Sequence, residues 1–287
     1  MFVTSDYQIS SVPPPSLPTP PLEYDSRYVQ QFNNVLRLYF NRLNSVLGNL
    51  TAQDITTGFR VPFGAFHQDG HTTLTANIGN GTTTPIPVAS TTGFLSAGSL
   101  IIENEIISYT GKTPTTFTGI TRGVYGTTSS AHTSGTAISE AQAVPSPSTA
   151  LAIAFTVTDT SNQISIDPTN KSRIVFSVAG YYNIQFSTQL LNYTTSDDNV
   201  GMWFRKDGVD IANTTGIVTV PSKHGTSPGA TITSWNLVVD VNAGQYIELM
   251  MTSDSGNTVA ATYPPGIAPV HPASPSVILT ATFVSAL

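Results

Sequence analysis

The sequence predicts a mainly β protein, with an N-terminal extended arm and heptad α-helix, a small β-domain and a C-terminal antiparallel jelly roll. Three observations carry this reading. Only 10% of the 287 residues are charged, against about 25% in an average soluble domain, so Thr, Ser, Asn and Gln supply the polarity. A heptad pattern of apolar residues occurs early, ending near Leu50. After Gly58 short alternating runs broken by glycine turns take its place.

Residues 1–24 form a Pro-rich arm containing Pro13, Pro14, Pro15, Pro18, Pro20 and Pro21. Such a segment is extended and makes no core of its own. It is either a disordered tail or an anchor that orders on a partner's surface. Residues 25–50 then place Val29, Phe32, Leu36, Tyr39, Leu43 and Val46 at alternating spacings of three and four, an a/d seam. Asp25 or Ser26 can cap the start, and Gly48-Asn49 suits a helix end. Tyr28, Val35, Phe40 and Leu47 widen the stripe, which favours a three-helix bundle or docking on another protein. The alternative is an amphipathic helix lying on the chain's own globular part.

Residues 51–71 read as a connector. Residues 72–140 are rich in Thr, Gly and Ser, with runs such as Ser99-Leu100-Ile101-Ile102 and Glu105-Ile106-Ile107-Ser108-Tyr109, and read as a small β-domain. Residues 141–149 read as a second linker around Pro145 and Pro147. Strands are expected at 152–157, 173–178, 182–190, 200–205, 232–239, 246–251 and 277–284, with turns at Lys206-Asp207-Gly208 and Asn242-Ala243-Gly244. Closely spaced strands with no helices between them make residues 150–287 a sandwich or jelly roll.

Eleven Lys and Arg against seventeen Asp and Glu leave a net charge of −6, without the basic stripe that phosphate neutralisation requires. Nucleic acid is therefore not an expected partner. The absence of cysteine removes disulfides, thiolate metal sites and thiol nucleophiles. No run approaches the roughly 20 apolar residues of a membrane span, and Met1 to Ser10 lack the pattern of a signal peptide. Neither membrane insertion nor secretion is expected.

Two stretches resemble known families. Phe176-Ser177-Val178-Ala179-Gly180-Tyr181-Tyr182-Asn183-Ile184-Gln185-Phe186, the strand ending in Phe204 with Lys206-Asp207-Gly208, the Asn242-Ala243-Gly244-Gln245-Tyr246-Ile247 run and the closing strand from Val277 resemble the C1q/TNF-like jelly roll. Gln245 replaces that family's usual Asp, and the closing strand lacks its aromatic-x-Gly pattern. Residues 84–132 resemble a β-module that recurs in structural proteins of tailed phages, marine and cyanobacterial ones especially. The matching residues are Phe94, Gly98, Ile101, Ile102, Glu105, Ile107, Tyr109, Phe117, Thr118-Gly119, Arg122-Gly123, Gly126-Thr127 and His132. These resemblances imply a homotrimer and a virion fibre or decoration protein, made in the host cytoplasm and anchored by its N-terminus to other proteins of head or tail. A receptor-binding tip recognising a host surface glycan or protein is the alternative.

Candidate chemistry is sparse. Gly225-Thr226-Ser227-Pro228-Gly229 spells a hydrolase elbow, but Pro228 lacks the N–H the oxyanion needs. His67, Asp69 and His71 alternate and are weak candidates for a metal site, against which Gly64 and Gly70 suggest a loop. Asp197-Asp198-Asn199 offers oxygens to Ca²⁺ or forms a solvated turn. Glu103 and Glu105 fall on one face of an expected strand, with no sugar-stacking aromatic cluster placeable beside them. No enzyme and no cofactor are expected. In the jelly roll, Tyr182, Ile184 and Phe186 share one strand face while Tyr181, Asn183 and Gln185 share the other. Tyr182, Phe186, Trp203 and Trp235 are accordingly candidates for the core or the trimer interface.

Overall fold

Alternation of apolar and polar residues in short strands gives the β-rich part of the chain two layers to fill. The computed structural model describes residues 15–19, 26–56, 61–267 and 270–287. It comprises two units, residues 1–60 and 61–287.

In the first unit the helix runs from Ser26 to Thr56. It continues past Gly48-Asn49, where the sequence suggested an end. A glycine within a helix costs only about 1 kcal/mol relative to alanine, and no proline stands between Leu50 and Thr56 to force a stop. Asp25 and most of the arm lie outside the described residues. Pro15 to Thr19 are irregular, and Leu17 and Pro18 lie beside Gln31, Asn34 and Val35 of the helix.

The second unit is built of antiparallel pairs nested one inside another. Phe63–Gln68 pairs with Val277–Ser285, Ile174–Phe176 with Tyr246–Ser253, Gly180–Asn192 with Gly229–Val241, and Asp198–Lys206 with Gly216–Val220. One layer runs Val157–Asn162, Phe63–Gln68, Val277–Ser285, Gly180–Asn192, Gly229–Val241. The facing layer runs Ile164–Ile166, Ile174–Phe176, Tyr246–Ser253, Asp198–Lys206, Gly216–Val220. Phe66, Phe176, Tyr182, Phe186, Phe204, Leu249 and Leu279 fill the space between them. Each such side chain contributes roughly 1.5–3 kcal/mol by leaving water. At the Lys206-Asp207-Gly208 turn Asp207 and Gly208 both have positive φ, as a two-residue hairpin of matching twist requires.

Three segments differ from the sequence reading. Phe63–Gln68 lies in the expected connector but is an inner strand of the first layer, burying Gly64, Phe66 and Gln68 by alternation. The sandwich is therefore discontinuous, and residues 72–140 are an insertion after its first strand. The expected linker 141–149 begins as strand: Ala137–Ala143 pairs with Thr258–Ala261, and Val144 enters the sandwich core. Residues 152–157 are a crossing between layers, because Ala150–Ala152 joins one sheet and Val157–Asn162 the other, with Ile153 and Phe155 buried on the way.

The long strand Gly180–Asn192 joins sandwich to insertion. Its last three residues pair with Thr258–Ala261, which pairs with Ala137–Ala143, which pairs with Gly98–Ile102. The insertion closes over its own core of Leu74, Ile86, Phe94, Leu100, Tyr109 and Phe117. Phe94, Ile102, Ile107, Tyr109 and Phe117 of the phage-type pattern all fall in that core.

Candidate functional site

Two surfaces present apolar side chains without charge. On the helix, Phe32, Leu36, Tyr39 and Leu43 are only half-buried and Val29 is exposed, while the side chain of Val46 lies outside the described residues. Tyr28 and Phe32 stack at 6.2 Å and Tyr39 meets Phe40 edge-on at 5.6 Å, so the seam is lined with aromatic rings. Leu38 and Phe40 are exposed off the seam. A 31-residue helix spans about 46 Å at 1.5 Å per residue, and along its described part the stripe stays half-buried to exposed.

The second surface is the outer face of the first layer. Register places Phe63, Thr282, Asn183 and Val238 in one row, Ala65, Thr280, Gln185 and Asn236 in the next, and His67, Ile278, Ser187 and Ser234 in a third. None of these is Lys, Arg, Asp or Glu. Asn236 donates to Asn183 at 3.1 Å across two strands, so the amides are partly self-satisfied. Charge begins only at the margins: Asp240, holding Lys206 at 2.8 Å, and Asp159, 2.9 Å from His67. An uncharged face with scattered Phe63, Tyr181, Val238 and Ile278 has the composition of an interface core rather than of ordinary surface.

Of the aromatic candidates, Tyr182 and Phe186 are core, and Trp235 meets Phe186 edge-on at 4.5 Å from the edge of the same layer. Trp203 is separate. It lies half-buried on the other sheet and donates from Nε1 to Asp210 at 2.7 Å. Tyr181 and Gln185 are exposed and Asn183 half-buried, on the outer face as alternation requires.

His67, Asp69 and His71 do not converge. His67 faces Asp159, whereas His71 pairs with Asp69 at 3.0 Å. Among the described residues no three His, Cys, Asp or Glu side chains gather as a metal site would need. Asp198 is a buried clasp rather than a solvated turn, accepting from Ser253, Thr258 and the Ser255 N–H at 2.6–2.9 Å. Burial pushes its pKa up, but these donors together hold it below the usual range. Asp197 accepts from the Ser222 N–H, and Asn199 is engaged with Asp254 and Thr219. Residues 225–229 are not a nucleophile elbow, because Ser227 exchanges backbone bonds with His224 and a strand, not a helix, follows from Gly229.

Glu103 and Glu105 do not share a strand face. Glu103 sits in the hairpin turn with φ of 53° and is 59% exposed, whereas Glu105 is wholly buried. His132 lies between them, Nδ1 2.8 Å from Glu103 and Nε2 2.8 Å from Glu105. Arg122 grips Glu105, and the N–H groups of Gly123 and Ser130 complete its acceptors. Burial pushes the Glu105 carboxyl up, and Arg122, Ser130 and His132 together bring it below the usual range. Glu105, Arg122 and His132 thus form a staple. Gly123 serves the same loop: it has φ of 62°, and a Cβ there would lie 2.9 Å from the Ser129 nitrogen.

Sequence reasoning missed Glu140. It is wholly buried where insertion meets sandwich, and accepts from the Leu95 N–H at 2.7 Å, from the Tyr109 hydroxyl at 3.1 Å and from Gln68. Burial, only partly offset by these donors and Lys112, raises its pKa to about 8. Glu140 as the one charged residue of the strand Ala137–Ala143 was the available signal.

Compared with known proteins, the chain matches no family model and no curated protein.

Proposed function

We propose that the chain is a non-enzymatic structural protein of a tailed-phage particle, a trimeric fibre or decoration protein held by residues 1–50 and displaying its β-unit. The observation that carries this reading is the pair of uncharged surfaces with exposed apolar side chains on one chain: an aromatic-lined heptad stripe and an outer sheet face. Self-association about a symmetry axis covers both without needing complementary charge. The nested strand pairing supports the finer reading of the β-unit as a C1q/TNF-like jelly roll, in which first strand pairs last and each later pair wraps inside. The staple of Glu105, Arg122 and His132 supports the phage-type reading of the insertion, since it gives these three matching residues one shared structural purpose.

Among the described residues no helix is long and apolar enough to cross a membrane. The reading places the protein on the virion and its contacts with neighbouring head or tail proteins and with its own copies. Sedimentation velocity of the full chain tests the trimer: a single trimeric species supports it and a monomer at micromolar concentration overturns it. Immunogold labelling of particles from the phage that encodes the chain tests the location, and unlabelled particles overturn that half.

A further inference from the structure

We propose that the seam between insertion and sandwich is a binding site for a neutral pyranose, a sugar residue taken ring-first into a cleft of about 350 Å³. This adds a ligand to the structural reading and does not rest on it.

The continuous sheet makes the cleft. Leu191 at the end of the sandwich strand and Ile101 of the insertion lie on the same sheet, linked through Thr258–Ala261 and Ala137–Ala143, and Ser139 pairs with Ile101 in register. Tyr193 follows Leu191, and Tyr263, held by reciprocal backbone bonds to Ser274, lines the site with it. Aliphatic carbons and tyrosine rings therefore dominate the lining. The volume lies within the roughly 300–1,000 Å³ of small-ligand pockets.

Two hydroxyls that open into the cleft from otherwise buried residues decide the chemistry. Tyr193 is 5% exposed and Ser139 4% exposed, and neither side chain has a hydrogen-bond partner among the described residues although both line the cleft. Burial pushes the Tyr193 phenol up, so it stays a neutral donor and acceptor. A purely apolar ligand would seal both hydroxyls away unpaired, and each would cost its desolvation. An anion finds no Lys or Arg in the lining and meets the Glu103 carboxylate instead. A cation finds Glu103 already engaged by His132. A pyranose satisfies all three constraints: its C–H face packs on the rings and its hydroxyls pair with Tyr193 and Ser139 in either sense. Because the cleft is open on one side, the sugar can belong to a longer chain.

Saturation-transfer NMR on the full chain with methyl glucoside, galactoside, mannoside and N-acetylglucosaminide tests this. Transfer to ring C–H protons of at least one sugar is expected. Tyr193→Phe should weaken that binding about tenfold and leave the melting temperature unchanged, since the hydroxyl it removes holds nothing in the protein. Ala137→Trp, at an exposed position lining the cleft, should abolish it. No transfer to any of these sugars at tens of millimolar overturns the proposal, as does binding indifferent to both substitutions. Transfer to phenol or to a proline-rich peptide but to no sugar overturns it too.

Discussion

Arg122 and Glu105 meet through two parallel hydrogen bonds of 2.7 Å, Nε to Oε1 and a terminal nitrogen to Oε2, with both side chains almost withdrawn from water. Planar guanidinium and carboxylate match in this forked geometry, which lysine could not reproduce. The same Arg122 donates to the carbonyls of Gly79 and Ser130, so one side chain ties three segments of the insertion. Glu105→Ala leaves the guanidinium buried without its counter-charge and should cost about 3–5 kcal/mol. Denaturant unfolding of the two proteins measures it, and a loss below about 1 kcal/mol, the range of an exposed ion pair, would refute the staple.

Acid should expose the same group from the other side. The folded carboxyl titrates below its ordinary value of 4.5, so its contribution is complete above that value and disappears as pH falls through the lowered one. Glu105→Gln should remove this part of the acid dependence, and unchanged acid sensitivity in that variant would contradict it.

Glu140 should act with the opposite sign. Its folded pKa of about 8 lies above the ordinary 4.5, so the folded state binds the extra proton between those values. The stability it supplies is whole below pH 4.5 and declines as pH rises to about 8, by about 1.4 kcal/mol for each unit. A protonated Glu140 has a hydroxyl to donate, and a half-turn of the Gln68 carboxamide, whose Oε1 is buried without a partner, gives it an acceptor. Glu140→Gln keeps the shape and loses the titration. Unfolding free energies from pH 5 to 9 should fall for the wild type and stay level for the variant. Parallel curves would show that Glu140 is ionised in the folded protein.

What could be read from the sequence follows from the range of the interactions. A helix over most of 26–50, the period-2 alternation at Tyr182, Ile184 and Phe186, and the Asp207-Gly208 turn are local, and each is in the structure. Phe63–Gln68 was not legible, because six residues become a strand only through partners at 157–162 and 277–285. The end of the helix was misplaced because glycine permits an end without enforcing one. The cleft escaped for the same reason as the strand: Tyr193, Tyr263, Ile101 and Ser139 are distant in sequence and are gathered only by sheet pairing. The core roles of Phe94 and Phe117 could be read as apolar positions, whereas the staple needed the positions of Arg122 and His132 in space.

Leu36 occupies the middle of the helix seam and is half-buried in a single copy. If the seam is the contact between copies, Leu36→Asp replaces roughly 1.5–3 kcal/mol of burial per chain with a buried charge. The full chain should then sediment with a smaller oligomer at concentrations where the wild type is a trimer, with the β-unit's melting unchanged. Wild-type assembly would show that the helix is not the contact.

Gln185 tests the other surface, because it stands in the middle row of the uncharged sheet face between Thr280 and Asn236. It is exposed, so Gln185→Arg costs the isolated chain little, surface substitutions being usually within about 0.5 kcal/mol. At a threefold contact the same change would bring three guanidinium groups to one buried patch with no carboxylate in the three central rows to receive them. The like-charge cost at an interface is several kcal/mol. Dissociation of the β-units is therefore expected, and combining the change with Leu36→Asp should give a folded monomer. Light scattering after size-exclusion chromatography reads the mass directly. A double variant that remains trimeric, with unchanged melting, would remove both surfaces from the assembly and leave the sheet face as plain exterior.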